Sequence, residues 1–387
     1  MTQAAAADRS APNPDEPTLA QLTTMRVGGP AERLLVARDK TSLVERALEL
    51  WGEGEPWMLL GGGSNTVVSD AGYPGTVLLV RNSGVDRVMD ETLDGRVRLR
   101  VQAGQDWDAL VAFCVERGWS GIEALSGIPG LAGAAPVQNI GAYGAELSDV
   151  LHSIEFLDRH SGEVLRLGAD ELELGYRTSS IKQGRGGVVL SIDLVLEPGE
   201  GGLSAPVRYG QLAQALGVQV GERVPLGELR AAVLRLRASK GMVLDDEDHD
   251  TWSSGSFFTN PIVSESFARA LPPEAPRFPL EEEGPEVSII PFEQLGFGEL
   301  PVPSAEPEPR RVKLSAAWLI EQAGVRKGFR LPGSGAAISS KHTLAITNRG
   351  AASADDIAEL ARLVVQRVQQ EFGVILVPEP NLYGLEL

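Results

Sequence analysis

The stretch SGIPGLAGAAPVQNIGAYGAE, residues Ser126 to Glu146, decides more about the fold of this 387-residue chain than any other. It holds five glycines, one acidic residue and no basic residue. Each glycine loses much conformational entropy on folding, so neither a helix nor a strand accommodates such a run comfortably. A backbone that approaches a ligand and points its N–H groups at oxygens does require glycines. The stretch therefore predicts a loop that contacts an anionic group.

A second glycine loop, Gly61-Gly62-Gly63-Ser64-Asn65, directly follows the apolar run Trp57 to Leu60. Neither loop has the GxGxxG spacing of the dinucleotide fingerprint. We interpret the pair as holders for the diphosphate of one large cofactor, with Asn65, Gln138 and Asn139 adding side-chain donors. Tight turns between strands are the alternative interpretation.

Four motifs carry a family resemblance: GGGSN at 61–65, SGIPGLAGAAPVQNIGAYG at 126–144, GYRTSS at 175–180 and GSFFTNP at 255–261. Together, and in this order, they resemble the UDP-N-acetylenolpyruvoylglucosamine reductase family, whose flavoenzymes complete the muramic acid unit of peptidoglycan. The resemblance runs from about Thr23 to Gly384. Arg208-Tyr209-Gly210 is similar to the tyrosine loop of the family's longer subclass, which closes over the nucleotide diphosphate.

The resemblance implies an α+β fold with an FAD-binding region of the PCMH type and a C-terminal α+β substrate-binding domain. We expect a disordered tail at 1–18 and two subdomains, about 19–80 and 81–198, that sandwich the flavin. The substrate domain is expected at 199–378, interrupted by a mobile Pro/Glu-rich insertion at 271–311. Residues 379–387 would return to the FAD region.

The resemblance also implies a reaction. NADPH reduces a non-covalently bound FAD, and hydride then passes to C3 of UDP-N-acetylglucosamine enolpyruvate while a proton is delivered to C2. Arg177 is the expected cation for the developing negative charge, because a guanidinium holds a carboxylate with two parallel bonds. Ser256 is the expected proton donor. Glu379 is the third catalytic residue, although Val377 replaces the first glutamate of the family's leucine-glutamate-proline-glutamate segment and Pro380 replaces an aliphatic residue.

The remaining site predictions fall into two groups. The expected cofactor-binding residues are Gly61, Gly62, Gly63, Ser64, Asn65, Gly127, Ile128, Pro129, Gly130, Gly133, Gln138, Asn139, Gly141, Ala142 and Tyr143. The expected substrate-binding residues are Tyr176, Tyr209, Lys240 and Asn260. Arg235, Arg237 and Lys240 form a basic run that suits a diphosphate, and a solvated helix face explains the run equally well.

Composition excludes several classes of protein. The net charge of −18 argues against nucleic-acid binding. Cys114 is the only cysteine, so there is no internal disulfide and no multi-thiolate metal site. Residues 1–17 lack the apolar core of a signal peptide and no apolar run approaches membrane-spanning length, so we expect a cytoplasmic protein that does not bind membranes. We also expect a monomer.

Two alternatives from different classes stay open. One is an FAD-dependent oxidase with the same flavin-binding fold, whose members often tether the flavin through His or Cys. The other is a non-catalytic flavoprotein that serves as a scaffold in cell-wall assembly. The run Asp245 to Asp250 has metal-type residues, but consecutive spacing is more typical of a solvated loop, and we predict no metal site.

Local patterns predict several elements. Trp107, Leu110, Val111 and Cys114 share one helical face. Val188 to Leu196 reads as a strand. Ser42 with Glu45 predicts a capping box for a helix through Leu50. Ser353 with Asp356 predicts the start of a final helix, 355–372, that ends at Gly373 and is followed by a strand at 374–377.

Overall fold

A computed structural model describes residues 16–280 and 310–387. The N-terminal part contains α1 (Leu19–Leu22), β1 (Ala31–Ala37), α2 (Lys40–Glu53), β2 (Trp57–Leu60), β3 (Thr66–Val68) and β4 (Tyr73–Val80). Strands β1, β4 and β2 form a parallel sheet in that order, with Met58 paired to Val77. Parallel strands need a crossover, and α2 supplies it between β1 and β2.

The start of α2 corrects a sequence prediction. The helix begins at Lys40 rather than after Ser42, because Asp39 is the cap and its carboxylate accepts from the Ser42 N–H at 2.8 Å. Ser42 occupies the third position of the capping box and returns a bond to Asp39. The helix also runs past Leu50, to Glu53, where Gly54 at φ +72° ends it.

The middle part is built on a larger antiparallel sheet. The elements of the middle part are β5 (Val85–Val88), β6 (Val97–Gln102), α3 (Trp107–Glu116), β7 (Trp119–Ser120), β8 (Gly141–Ala142), β9 (Ala145–Glu146), β10 (Leu151–Asp158), β11 (Val164–Gly168) and β12 (Gly187–Pro198). The strand order is β11-β10-β12-β6-β5, and β7 pairs with the end of β12. Strand β12 confirms the predicted strand at 188–196. The predicted helical face is also confirmed, since its four side chains on α3 are at most 1% exposed.

Helix α2 joins the two sheets. Leu43, Ala47 and Leu50 on α2 lie in one buried cluster with Leu78 of the parallel sheet and Leu190 of β12. Each sheet therefore covers one side of the same helix, and burial of this apolar surface fixes their relative position. The carboxyl end of β2, where the GGGSN loop begins, consequently faces the glycine-rich stretch of the middle part.

The C-terminal part has two hydrophobic cores rather than one. A small core lies around α4 (Gly210–Leu216) and α5 (Leu226–Ala238). A larger core spans residues 257–376. The elements in and after this stretch are β13 (Ile262–Ser264), α6 (Glu265–Ala270), β14 (Arg277–Pro279), β15 (Arg311–Leu314), α7 (Ala316–Gln322), β16 (Ala336–Ile338), β17 (Ile346–Asn348), α8 (Ala354–Phe372) and β18 (Asn381–Tyr383). Met25, Val27 and Val67 from the N-terminal part complete the larger core.

The ends of the predicted insertion at 271–311 belong to the folded structure, which corrects its bounds. Leu271 and Ala275 are buried, and β14 pairs antiparallel with β15, so these ends form part of a three-stranded sheet. Its middle, residues 281–309, and the predicted disordered tail as far as residue 15 lie outside the described residues. Thr18, the last residue of that predicted tail, caps α1.

Helix α8 confirms the prediction for the final helix: Ser353 and Asp356 form the capping box and Gly373 ends it at φ +69°. The predicted strand at 374–377 is wrong. Ile375 and Val377 are exposed and alternate with buried Val374 and Leu376. In the described part of the chain the segment belongs to no ladder: the Thr259 N–H donates to the Val377 carbonyl at 3.1 Å, and the adjoining bridge between Phe258 and Pro378 is isolated. The strand comes later, at β18, which pairs parallel with β3 through Asn381 and Thr66. Within the described residues, no helix is long and apolar enough to cross a membrane.

Candidate active site

The two glycine loops pack directly against each other. We call Gly61–Asn65 loop A and Ser126–Glu146 loop B. A Cβ added to Gly62 would lie 2.8 Å from the Gly130 Cα. Gly130 itself is at φ +120°, and its own Cβ would lie 2.8 Å from the Ser64 Oγ. These glycines are therefore required for contact between the loops, in addition to any contact with a ligand.

Loop A is anchored by groups from neighbouring segments. The Arg81 guanidinium donates to the Gly61 carbonyl at 2.9 Å, and the Thr24 N–H donates to the Gly63 carbonyl at 3.2 Å. The hydroxyl of Ser64 donates to the Pro129 carbonyl of loop B at 3.1 Å. Several backbone groups of loop A are thus satisfied by protein, and the loop is fixed before any ligand binds.

Loop B is anchored at its start by Asp108, in the first turn of α3. Its Oδ1 accepts from the Gly127 N–H at 2.6 Å and from Arg230 at 2.6 Å, and its Oδ2 accepts from the same guanidinium at 2.8 Å. Burial raises the pKa of Asp108, but the hydrogen bonds from Arg230 and Gly127 outweigh it and the pKa lies below its ordinary value. Asp108 is therefore charged at neutral pH and links loop B to α5.

A cavity of about 440 Å³ lies between the loops and extends to the C-terminal part. Its size is that of a small-molecule site. Most of the predicted residues of both loops line it: Gly61, Gly62, Gly63, Ser64, Asn65, Ile128, Pro129, Gly130, Gly133, Gln138 and Gly141. The predicted catalytic residues Arg177, Ser256 and Glu379 line it as well, although they come from three distant parts of the chain.

Four residues predicted to bind the cofactor do not line the cavity: Gly127, Asn139, Ala142 and Tyr143. Asn139 is 1% exposed, and its amide is used internally, donating to Glu146 at 2.8 Å and accepting from the Ser148 N–H at 2.9 Å. It has the left-handed φ of +44° and shapes the turn of loop B. Tyr143 packs instead against the α4/α5 core.

Arg177 lies at the tip of a tight turn in which Gly175 and Thr178 exchange backbone hydrogen bonds. Its φ of +54° is uncommon for a residue with a side chain. The turn is stabilised by the Lys182 ammonium, which donates to the Arg177 carbonyl at 2.8 Å. One arm of the guanidinium donates to the Gly141 carbonyl at 3.0 Å. The strained turn thus directs a cation into the cavity, and such strain is often found at functional sites.

Glu379 forms an ion pair with Arg177 in the wall of the cavity. The Arg177 Nε lies 3.4 Å from the Glu379 Oε1, which also accepts from the Gln138 Nε2 at 3.2 Å. Burial raises the pKa of Glu379, although Arg177, Lys182 and the Gln138 hydrogen bond partly counter that effect. A carboxylate with a raised pKa beside a cation is a frequent arrangement at catalytic sites.

The Ser256 hydroxyl lines the cavity and forms no side-chain hydrogen bond to any residue that the structure describes. Gly255 before it has a φ of +76°, which favours glycine, and Phe257 and Phe258 after it are buried in the larger core. The two rings fix the segment, and the left-handed glycine turns the serine out of the core. The hydroxyl is therefore free to contact a ligand.

None of the four predicted substrate-binding residues lines the cavity. The Asn260 amide contacts the Tyr176 hydroxyl at 3.5 Å. Tyr209, at the start of α4, is 44% exposed and its ring packs edge-on against Tyr143 at 5.8 Å. Lys240 donates to Gln211 at 2.9 Å. Burial lowers its pKa, and Arg237 adds to that effect.

Sequence reasoning passed over several cavity residues. Arg237, left open as a solvated residue, lines the cavity, and its Nε is buried without a hydrogen-bond partner. The hydroxyl of Ser254 is also buried in the cavity wall without a partner. Outside the cavity lining, His342, which sequence reasoning treated as isolated, lies near Lys240 and Lys327; burial and those cations lower its pKa to about 4. A basic residue within a helix in an acidic chain was the available signal for Arg237.

The acidic run at 245–250 is engaged in structural contacts. Asp250 accepts from the Ser340 hydroxyl at 2.6 Å and pairs with Arg349 at 2.9 Å. Asp246 pairs with Arg26, which also stacks over the ring of Trp252 at 4.0 Å. Across the described residues, no group of three or more His, Cys, Asp or Glu side chains is arranged to hold a metal ion.

The cavity residues fit a cofactor with a diphosphate. Two glycine loops border the space, and two buried donors, Arg237 Nε and Ser254 Oγ, have no protein acceptor. Buried polar groups are normally hydrogen-bonded, so an acceptor from a ligand accounts for both. The apolar remainder of the lining, such as Trp107, Leu131 and Ile140, suits a ring system.

Comparisons with known proteins agree with this description. A family model described as an FAD binding domain matches residues 32–168, and one described as UDP-N-acetylenolpyruvoylglucosamine reductase, C-terminal domain, matches 246–383. The chain is 60% identical over 379 residues to the UDP-N-acetylenolpyruvoylglucosamine reductase of Leifsonia xyli, covering 96% of this chain and all of the relative. It is 48% identical to that of Saccharopolyspora erythraea, covering 95% of both chains. A crystal structure of the reductase from Thermus caldophilus superposes with a TM-score of 0.58 at 27% identity and covers 95% of this chain and 97% of that one.

Proposed function

Because the chain belongs to the UDP-N-acetylenolpyruvoylglucosamine reductase family, we propose that it reduces UDP-N-acetylglucosamine enolpyruvate to UDP-N-acetylmuramate, with NADPH as reductant and non-covalently bound FAD as cofactor. The main support is that Arg177, Ser256 and Glu379 line one cavity bordered by both glycine loops. The reaction is a step of peptidoglycan precursor synthesis.

FAD, when bound, takes up hydride from NADPH and supplies it to C3 of the enolpyruvyl group. Loops A and B would hold the cofactor, with the Arg237 guanidinium as a fixed cation in the cavity wall. The donors of the loops are aligned before binding, since Asp108 and Arg81 already anchor both backbones. Prealigned donors bind an anion without a large ordering cost.

Arg177 stabilises the negative charge that develops at C2 and in the adjacent carboxylate. A guanidinium held in place by its own strained turn interacts strongly with such charge, because it needs no reorganisation when the charge develops. Its present partner, Glu379, would share the guanidinium with the incoming carboxylate. Glu379 thereby poises the site, because it keeps the cation in the cavity before substrate binds.

Ser256 donates the proton to C2. A serine hydroxyl is a weak acid, but a carbanionic centre is basic enough to take its proton when the geometry is right. The hydroxyl needs no rearrangement to do so, since it has no protein acceptor among the described residues. The net reaction consumes one hydride, delivered to C3, and one proton, delivered to C2.

Tyr176, Tyr209, Lys240 and Asn260 would bind the nucleotide diphosphate, with Tyr209 acting as in the subclass that has the tyrosine loop. Tyr209 suits a closing role, because it is 44% exposed and its ring packs against that of Tyr143 alone among the described residues. The substrates are those of cytoplasmic metabolism, so we place the enzyme in the cytoplasm, as a monomer with no nucleic-acid or membrane partner. Size-exclusion chromatography with light scattering, which measures the molar mass in solution, tests whether the protein is a monomer.

The oxidase alternative is less well supported, since no His or Cys is among the residues that line the described cavity. Flavin that stays with the protein through acid precipitation would favour it. The scaffold alternative requires that NADPH is not oxidised.

The test is NADPH oxidation by wild type and Ser256→Ala, with and without UDP-N-acetylglucosamine enolpyruvate. We expect substrate-dependent oxidation in wild type and a loss of about 10²- to 10⁴-fold in the variant, the usual contribution of a general acid. Flavin reduction by NADPH should survive in the variant. If the flavin is reduced and the substrate changes nothing, the assigned substrate is wrong.

A further inference from the structure

The Glu379 carboxylate has an asymmetric environment. Its Oε1 accepts from Gln138 at 3.2 Å and lies 3.4 Å from the Arg177 Nε, whereas its Oε2 has no hydrogen bond from any described residue. The Glu379 backbone is fixed on both sides: its N–H donates to the Phe257 carbonyl at 2.8 Å and its carbonyl accepts from the Asn65 amide at 3.2 Å. The two side-chain donors therefore decide which way the carboxylate faces.

The two donors on Oε1 differ in kind. Arg177 is a cation whose proposed task is to pair with the substrate carboxylate, so a bound substrate would compete with Glu379 for its guanidinium. Gln138 is neutral, and an incoming anion has much less attraction for a carboxamide than for a guanidinium. Gln138 also belongs to the short helical turn Ala132–Gln138 of loop B, whose start is packed against the Ala103 backbone. Of the two donors on Oε1, Gln138 is the one for which an incoming anion would compete less.

We propose that Gln138 is a positioning residue for Glu379, which holds that carboxylate in place while Arg177 binds the anionic substrate. This inference rests on the proposed function, and it revises the expectation from sequence that Gln138 donates to the cofactor. Asn65 supports the arrangement, since its Nδ2 lies 3.5 Å from the Gln138 Oε1 and leaves the Gln138 Nε2 to face Glu379.

Three charged or polar groups face Glu379 and lower its pKa against the effect of burial: Arg177, Lys182 and Gln138. Removal of the Gln138 donor should therefore raise the pKa of Glu379 further. If the reaction needs the ionised carboxylate, its rate falls as the pH drops through the pKa of Glu379. This fall on the acid side of the pH profile, its acid limb, should then occur at a higher pH in the variant than in wild type. A residue with a purely structural role would not move this limb.

The experiment compares Gln138→Leu and Gln138→Glu with a control, Gln214→Leu, in which an exposed glutamine on α4 is changed. Leucine keeps the bulk and removes the donor, and glutamate keeps the shape and replaces the donor with an acceptor. For each variant we would measure the FAD dissociation constant by flavin fluorescence, the rate of flavin reduction by NADPH, and the rate of flavin reoxidation by the enolpyruvyl substrate across pH.

We expect the FAD dissociation constant and the rate of flavin reduction by NADPH to stay within about threefold of their wild-type values. The reoxidation step should fall by about 10- to 100-fold, as expected for a misplaced catalytic group, and its acid limb should move to higher pH. In a Glu379→Gln background, Gln138→Leu should cause little further loss, because both act through one carboxylate.

A clear increase in the FAD dissociation constant with normal reoxidation would overturn the proposal and return Gln138 to the cofactor. Fully additive losses in the double variant would also overturn it. If Glu379→Gln alone reoxidises at the wild-type rate, the proposed role of Glu379 fails first, and this outcome is distinguishable because it does not involve Gln138. Gln138→Glu keeps the test valid if the leucine variant does not fold.

Discussion

Replacing Gly62 with alanine tests the contact between the two glycine loops. The new Cβ would lie 2.8 Å from the Gly130 Cα, whereas carbon atoms in contact are normally about 3.5–4.0 Å apart. The loops must therefore separate by roughly 1 Å, and overpacking of this kind costs about 1–3 kcal/mol. The apo protein can relieve the strain by opening the loops, but a cofactor held by both loops requires their native spacing.

Most of the cost should therefore appear as weaker FAD binding. At 1.4 kcal/mol for each tenfold change, we expect the FAD dissociation constant of Gly62→Ala to rise by about 5- to 150-fold. The assay is titration of the apo variant with FAD, followed by flavin fluorescence, together with thermal unfolding of the apo form. Wild-type FAD affinity in Gly62→Ala would refute the reasoning, because the loops would then tolerate a wider spacing.

Two matched substitutions separate packing from ligand contact. The nearest atom to a Cβ at Gly61 would be in the Leu131 side chain, at an ordinary 3.6 Å, so a loss of FAD affinity in Gly61→Ala would report obstruction of the cavity. A Cβ at Gly52, on the exposed face of α2, would meet no atom within 4 Å. Gly52→Ala should leave FAD binding unchanged and stabilise the protein by about 0.5–1 kcal/mol.

Two predictions concern groups outside the site. Asp193 is buried on β12 and accepts from Arg98 at 2.7 Å, Arg100 at 2.9 Å and Arg166 at 3.0 Å. Asp193→Asn should cost about 1.5–3 kcal/mol of unfolding free energy, measured by urea denaturation at pH 7, since it removes the charge of a buried acceptor that three partly exposed arginines share. Burial raises the pKa of Asp193, but the arginines outweigh it and hold the pKa below its ordinary value. The contribution should therefore be present above pH 4, roughly the pKa in the unfolded chain, and disappear as the pH falls through the lower folded value; a variant equally destabilised at pH 3 would contradict this. Cys114 is buried in α3, and burial raises the pKa of its thiol to about 12. It should resist a thiol reagent in the folded protein at pH 8 and react only on unfolding, and rapid labelling would contradict its placement.

Much of the fold was available in the sequence. The apolar run of β12 predicts a strand, and seven consecutive residues of that strand are buried. The 3.6-residue period of α3 and α8 shows which helix faces are buried, because burial of apolar side chains follows the geometry of the element. Errors arose where a pattern is shared by two structures. Residues 374–377 are an apolar run typical of a strand, but a strand also needs a neighbouring strand for a ladder of hydrogen bonds, and that neighbour depends on the rest of the chain. Ser42 had the residue type of a helix cap, but Asp39, three residues earlier, occupies that position.

The sequence by itself determined the type of site and its candidate chemistry, since motif residues such as Arg177, Ser256 and Glu379 are local in the chain. It did not determine which of the predicted donors face the ligand. Asn139 and Gln138 are adjacent in the same motif, yet one is turned into loop B and the other reaches Glu379, 241 positions later. That choice is made by contacts between segments far apart in the chain, and side-chain hydrogen bonds of this kind depend on distances that only the folded structure fixes.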